Sequence, residues 1–390
     1  MILNKKWALF TVLFSIPLGG IGIDLYTPAM PAMVEAFHTI PAEVKLTIGA
    51  FLLGAAISQL FLSPLSDTYG RKNLKLLGAL LFTLASIGIV WVPNIEWVIV
   101  LRILQGIGVG AITSLARAKV TDVFEKHEMR IISSYIAISW ALGPIIAPWI
   151  GGYIQHYLGW EYCFYFLAFY GALTILINAL LVPETIKVKI PFSLKKIMLN
   201  YKAIIFNGYF IGILLCMGLC YSILIVFALI GPFLLQTVMG YSSIIYGYIA
   251  LIMGVGYFSG TLLGRALHAF QERKLILMAL CAISFNIAIG LVLTVIAPHS
   301  LLAFCLPIIL VCGGVGILFP IFLGRSLSLF PHMAGTAAAL TGFGNIIIAS
   351  LVTFFISFIV ITKTIQAVLL YGLVVLLLWL VLFCIMRKNL

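Results

Sequence analysis

Asp67-Thr68-Tyr69-Gly70-Arg71-Lys72 is a short, charged stretch set between two long apolar runs, 44–64 and 75–92. Each run approaches the roughly 20 apolar residues a helix needs to cross the hydrocarbon core of a bilayer. A link this short allows only an antiparallel hairpin of two spanning helices. Outward from it the pattern continues, with apolar runs at 7–30, 97–117, 131–154 and 163–182, then 205–235, 244–265, 275–297, 301–326, 334–361 and 365–386. Composition demands such an arrangement. The chain is 63% hydrophobic and 9% charged, whereas a soluble domain carries about 25% charged residues. Lipid must be the solvent for most of it.

Most connections between runs are short. The exception, from Pro183 to Lys202, holds two prolines and five lysines and separates six spans from six. The expected organisation is therefore a six-helix bundle over 1–182, a cytoplasmic central loop over 183–203 and a second six-helix bundle over 204–390. With Lys5 and Lys6 placed in the cytoplasm, all 23 Lys and Arg residues except Lys45, Lys363 and Arg102 fall on the cytoplasmic side. That is the positive-inside bias of an even number of spans with both termini in the cytoplasm. The net charge of +12 then records orientation rather than affinity for nucleic acid. The first run is no cleaved signal peptide: it contains Asp24 and ends in Pro28 and Pro31, without a small-residue cleavage site. The seven cysteines have neither zinc-finger nor disulfide spacing, and their apolar surroundings suggest buried thiols.

The halves resemble weak repeats. Asp67 to Lys72 follows the second span, and Ala269-Phe270-Gln271-Glu272-Arg273-Lys274 follows the eighth, keeping the Arg-Lys pair and losing the Asp. The fold class expected is an all-α membrane protein of twelve transmembrane helices in two pseudo-symmetric six-helix bundles, a transporter architecture.

Ionisable residues inside a membrane are costly and are functional candidates. The six histidines fall in loops or at span ends, as does every acid except Asp24 in span 1. The deep cation is Arg102 in span 4. Asp24 lies about 10 Å before Pro31, and Arg102 about 12 Å after Asn94, at 1.5 Å per residue. Matching depths suggest that the two face each other, either as a static ion pair or as a carboxylate able to exchange a proton. Arg102, Gln105, Gly106, Val109 and Thr113 share one face of span 4. Gln59 and Gln105 suit a cavity and a structural hydrogen bond equally. Small-residue faces, with Ser139, Gly143, Ala147 and Gly151 in span 5 and Gly256, Gly260 and Gly264 in span 8, suit tight packing or sliding contact. Asn345 is the amide of span 11, a candidate substrate contact, and Tyr26, Tyr135, Trp140, Tyr221 and Phe343 are candidate cavity aromatics.

These residues resemble a known family. Asp67-x-x-Gly70-Arg71-Lys72 resembles the loop signature of the major facilitator superfamily, with Ser63 where the pattern usually begins with Gly. Leu101-Arg102-x-x-Gln105-Gly106 resembles its span-4 motif, whose Arg is associated with proton coupling. Gly143-Pro144 through Gly151-Gly152 resembles the span-5 motif of its exporters, with Ala147 replacing a usual Gly. Asp24-x-Tyr26-x-Pro28-Ala29-x-Pro31 and Ala116-Arg117-Ala118-x-Val120-x-Asp122 look most like the bicyclomycin/chloramphenicol-resistance (Bcr/CflA) branch of drug/proton antiporters. The likeness covers most of the first half and thins in the second.

The resemblance implies the major facilitator fold and a proton-coupled antiporter exporting small apolar or amphipathic molecules by alternating access. Asp24 and Arg102 would couple protons, and Asp67, Gly70, Arg71 and Lys72 would form a conformational latch; the alternative for those four is simple anchoring of a loop by its charge. The expected partners are a small-molecule substrate, protons and membrane lipids, with no nucleic acid, no cofactor beyond the proton gradient, and a monomeric state in a bacterial inner membrane. A dedicated exporter of an endogenous metabolite such as a siderophore, a proton symporter for nutrient uptake, and a non-transporting receptor are the competing readings. Enzymatic function is disfavoured, because the sequence has no metal-ligand cluster, nucleophile–His–acid set or phosphate loop.

Overall fold

The computed structural model describes residues 4–125, 127–186, 191–267 and 269–389. Lys126, Lys187, Lys189 and His268, assigned to loops above, lie outside those residues. Among the described residues twelve helices are long and apolar enough to cross a membrane, and they divide equally between two compact units, Met1–Met198 and Leu199–Leu390. In the first unit, span 1 occupies Lys5–Ala36. Spans 2 to 6 are the helices Pro41–Tyr69, Arg71–Trp91, Ile95–Val123, Met129–Tyr157 and Trp160–Leu181. In the second, spans 7 to 12 are Gly208–Pro232, Ser243–Ala266, Glu272–Ile296, Leu301–Ser328, Ala334–Ser357 and Thr364–Asn389.

Span 1 is broken. Its helical pieces are Lys5–Ser15, Leu18–Asp24 and Met30–Ala36, with a 3-10 turn at Thr27–Ala29. Pro28 and Pro31 do not end it, as the sequence suggested. Each sits in the first turn of a new helical piece, where a missing N–H costs little because that N–H would lack a partner anyway. The span therefore runs on to Ala36, and Asp24 lies nearer its middle than its distance from Pro31 implied.

Close helix crossings build both units in the same way. Span 2 meets span 4 where Gly54 lies against the Ile103 carbonyl and Gly106 against the Phe51 carbonyl. Span 8 meets span 10 where Gly260 lies against the Gly313 carbonyl and Gly316 against the Tyr257 carbonyl. A methyl group at any of these four positions would collide with backbone, so the small side chain is what lets the helices touch. The glycines of span 8 thus serve tight packing on span 10. Three departures from the sequence reading concern placement. Cys281 and Cys384 are exposed rather than buried. Lys75 and Lys119, counted as cytoplasmic, are 1% and 3% exposed, each about one helical turn inside its span. A further helix, Leu194–Ile205, begins in the expected central loop and runs past its end.

Candidate functional site

Arg102 is the largest fully buried side chain of the fold, at 0% exposure. Its Nη1 donates to the Gly22 carbonyl at 2.9 Å and to Gln105 Oε1, and its Nε donates to the Thr47 carbonyl at 3.4 Å. The guanidinium also lies over the Tyr26 and Phe51 rings, 4.5 and 4.3 Å from their centroids, an attractive arrangement in a desolvated site. Gln105 Nε2 passes the network on to Ser86 Oγ at 2.6 Å. Tyr26 is 0% exposed, exchanges a hydrogen bond with Thr47 at 2.7 Å and packs on Phe164 at 5.2 Å. One cation thereby clamps span 4 to spans 1 and 2, and its amide neighbour extends the clamp to span 3.

This corrects the expected pairing. Among the described residues no ion pair or hydrogen bond joins Asp24 to Arg102. The reason is angular. Gly22 faces the Phe51 and Phe82 rings, and Asp24, two residues on, is rotated by about 200° at roughly 100° per residue. Arg102 reaches the backbone of span 1 from one side while Asp24 leaves it on another. Asp24 is half-buried rather than sealed, and its carbonyl accepts from Thr27 Oγ1 at 2.8 Å.

What backs the Asp24 segment is span 5. Gly20 lies against Pro144, Gly143 against the Pro17 carbonyl, and Gly151 directly on the Leu25 carbonyl. The Gly143-Pro144 to Gly151-Gly152 stretch is thus the seat of the broken helix that carries the carboxylate. An apolar pocket of about 120 Å³ opens at this contact, bounded by Pro17, Ile21 and Leu25 of span 1, Gly143 and Ala147 of span 5, and Phe166 of span 6.

The other candidates scatter. Gln105 and Tyr26 belong to the Arg102 clamp and do not line open space. Trp140 packs on a core of Val12, Ile16, Ala116, Val120 and Ile132. Gln59 is 6% exposed and Tyr135 48% exposed. In the second unit Tyr221 is 8% exposed and lies 6.5 Å from Phe319, ring to ring, and Phe343 is half-buried. Asn345 is buried with no partner for its Oδ1, and the Thr341 hydroxyl one turn earlier is likewise unpartnered. Asn345 Oδ1 and Thr341 Oγ1 are thus two buried acceptors on one face of span 11 that the described residues leave unsatisfied.

At the link between spans 2 and 3, Arg71 pairs with Asp67 at 3.2 Å and with Asp122 at the end of span 4 at 2.6 Å. Lys72 Nζ donates to the Ala179 carbonyl at 2.8 Å. Gly70 turns the chain at φ +105°, a conformation open to glycine. Sequence reasoning missed Glu184, which follows span 6. Its carboxylate accepts from the backbone N–H of Arg71 and Lys72 at 3.1 and 3.0 Å, capping span 3 from a distant part of the chain. Burial disfavours its charge, but the N–H groups of Ile186, Lys72, Arg71 and Thr185 outweigh that and hold the carboxyl below the ordinary Glu range. Thr185 Oγ1 then donates to Asp122 Oδ2 at 3.1 Å.

The second unit has its own brace, with the polarity reversed. Glu272 at the start of span 9 pairs with Arg325 near the end of span 10, and Arg325 Nη1 donates to Tyr209 Oη at 2.9 Å. In the first unit the cation starts span 3 and the acid ends span 4.

Residues 12–353 match the family model of the Major Facilitator Superfamily. The multidrug resistance protein D of Escherichia coli is 27% identical over 364 residues, 89% of this chain and 88% of that protein. A bicyclomycin resistance protein homolog of Haemophilus influenzae is 26% identical, covering 82% and 81% of the two chains. Among solved structures, a D-xylose-proton symporter superposes with a TM-score of 0.78 at 16% identity, over 97% of this chain and 96% of that one.

Proposed function

The chain belongs to the Major Facilitator Superfamily, and from that premise we propose that it is a proton-driven exporter of small apolar or amphipathic molecules. Relatives named for multidrug and bicyclomycin resistance support export of drug-like compounds. The observation that carries the proton-coupled reading is Asp24. It is a half-buried carboxylate in mid-span with no ion-pair partner among the described residues, on a helix broken at both ends of its segment. A carboxylate in such a place is free to take up and release a proton as its access to water changes. Arg102 serves the site as a positioning residue, holding spans 1, 2 and 4 in register. The apolar pocket lined by Ile21 and Leu25, which flank Asp24 along the chain, offers room for the hydrocarbon part of a substrate. The chain needs no bound cofactor; the proton gradient drives it. It acts as a monomer in the inner membrane with both termini on the lysine-rich, cytoplasmic side.

Proteoliposomes with an imposed pH gradient test this directly. Gradient-dependent movement of a fluorescent lipophilic drug is expected for the parent, and Asp24→Asn should lose the gradient dependence while still binding the drug. Full coupling in Asp24→Asn would sink the assignment.

A further inference from the structure

The central connection contains a helix, Leu194–Ile205, too short to span a bilayer: its 12 residues extend about 18 Å against a hydrocarbon core of about 30 Å. Phe206 and Asn207 alone separate it from span 7, and both are held by hydrogen bonds, Phe206 N to the Lys202 carbonyl at 3.3 Å and Asn207 N to the Ile204 carbonyl at 3.0 Å. Asn207 Oδ1 in turn caps span 7 by accepting from Phe210 N at 3.0 Å. The short helix is therefore fixed where span 7 enters the membrane.

Around its circumference the residues follow an order. Ile204 and Tyr201 are buried, at 0% and 7% exposure. At about 100° per residue from Ile204, Leu194, Ile205 and Met198 come next, at about 80–120°, and all three are exposed, at 51%, 44% and 55%. Lys202 and Lys195 follow at about 160–180°, with Lys202 Nζ 5.8 Å above the Phe206 ring. Leu199 falls beyond the lysines. Protein contact, exposed hydrocarbon and then cations is the sequence of surfaces met by a helix lying at the edge of a bilayer, with lysine stems along the acyl region and ammonium groups at the phosphates.

We propose that Leu194–Ile205 is a binding surface for anionic phospholipids of the leaflet on the lysine-rich side. Leu194, Met198 and Ile205 enter the acyl boundary, and Lys195 and Lys202 bind phosphodiester headgroups. The connection between the two six-span units is thereby tied to the membrane. Its occupant is the bilayer itself, since an apolar flank one short turn from a spanning helix meets lipid before any soluble partner. The proposal rests on the membrane-spanning fold and is independent of what the protein transports.

The test uses the full chain in nanodiscs of phosphatidylcholine alone and of phosphatidylcholine with 30% phosphatidylglycerol, read by hydrogen exchange across residues 194–206. The parent should exchange about tenfold more slowly in the anionic discs, an effect within reach of two lysines at a charged surface. Lys195→Glu with Lys202→Glu should abolish the lipid dependence, and Lys195→Arg with Lys202→Arg should keep it. Unchanged exchange within span 7 certifies the fold of each variant. Equal exchange of the parent in both lipids would overturn the proposal, as would a charge-reversed variant that still responds to phosphatidylglycerol.

Discussion

Arg102 offers the sharpest test, because an ion pair with Asp24 and a backbone clamp predict different couplings. Arg102→Met leaves the Gly22 carbonyl and Gln105 Oε1 without their charged donor, and each buried acceptor so abandoned costs about 1–3 kcal/mol. The Thr47 carbonyl, at 3.4 Å, adds little. The expected destabilisation is about 2–5 kcal/mol. Asp24→Asn removes no contact of Arg102, and the variant should stay within about 1 kcal/mol of the parent. Were the two residues a buried pair, removing either partner would cost about 3–5 kcal/mol. The assay is a double-mutant cycle by reversible denaturation in mixed detergent–SDS micelles. Arg102→Met with Gln105→Leu should show a coupling of about 1 kcal/mol or more, and Arg102→Met with Asp24→Asn less than about 0.5 kcal/mol. The reverse ranking would refute the clamp and restore the ion pair.

Three further outcomes are expected. Gly151→Ala drives a methyl into the Leu25 carbonyl, so it should cost about 1–3 kcal/mol and slow transport while the chain still inserts; normal rates would show that spans 1 and 5 do not need this contact. Glu184 is held below its ordinary value of 4.5, so its capping of span 3 should be constant above that pH and fade as pH falls through the lower folded value. Protease cleavage after span 6 should rise on that acidic limb in the parent, whereas Glu184→Gln should be cleaved readily at neutral pH. Glu272→Arg should weaken the second-unit brace, and adding Arg325→Glu should restore thermal stability in detergent; failure of that rescue would mean the pair carries no energy.

Hydropathy was enough to count all twelve spans, because the bilayer imposes one length on every segment. Asp24 was legible for the same reason, as an acid where acids are expensive. The partners of Arg102 were not. They are the carbonyls of Gly22 and Thr47, and every residue has a carbonyl, so no side-chain pattern marks them. Gln105 and Tyr26 looked like cavity residues because polar and aromatic groups in a membrane suggest a ligand. The Arg102 guanidinium, one turn from Gln105 on span 4 and packed over the Tyr26 ring, had already engaged them. Pro31 misled in the other direction, since a proline that ends one helix also starts the next. The burial of Lys75 and Lys119 was not legible, because it depends on which neighbouring helices rise past them. Glu184 was hidden by distance along the chain, more than a hundred residues from the helix it caps.

The opposite polarity of the two braces limits how this protein can recombine. Exchanging whole two-helix hairpins, spans 3 and 4 for spans 9 and 10, carries each pair intact, Arg71 with Asp122 or Glu272 with Arg325. A crossover inside the hairpin does not. It would set Arg71 against Arg325, or Glu272 against Asp122, leaving like charges in contact at a span end. Shuffled libraries built from the two halves should therefore survive with breakpoints outside these hairpins and be depleted of those within them.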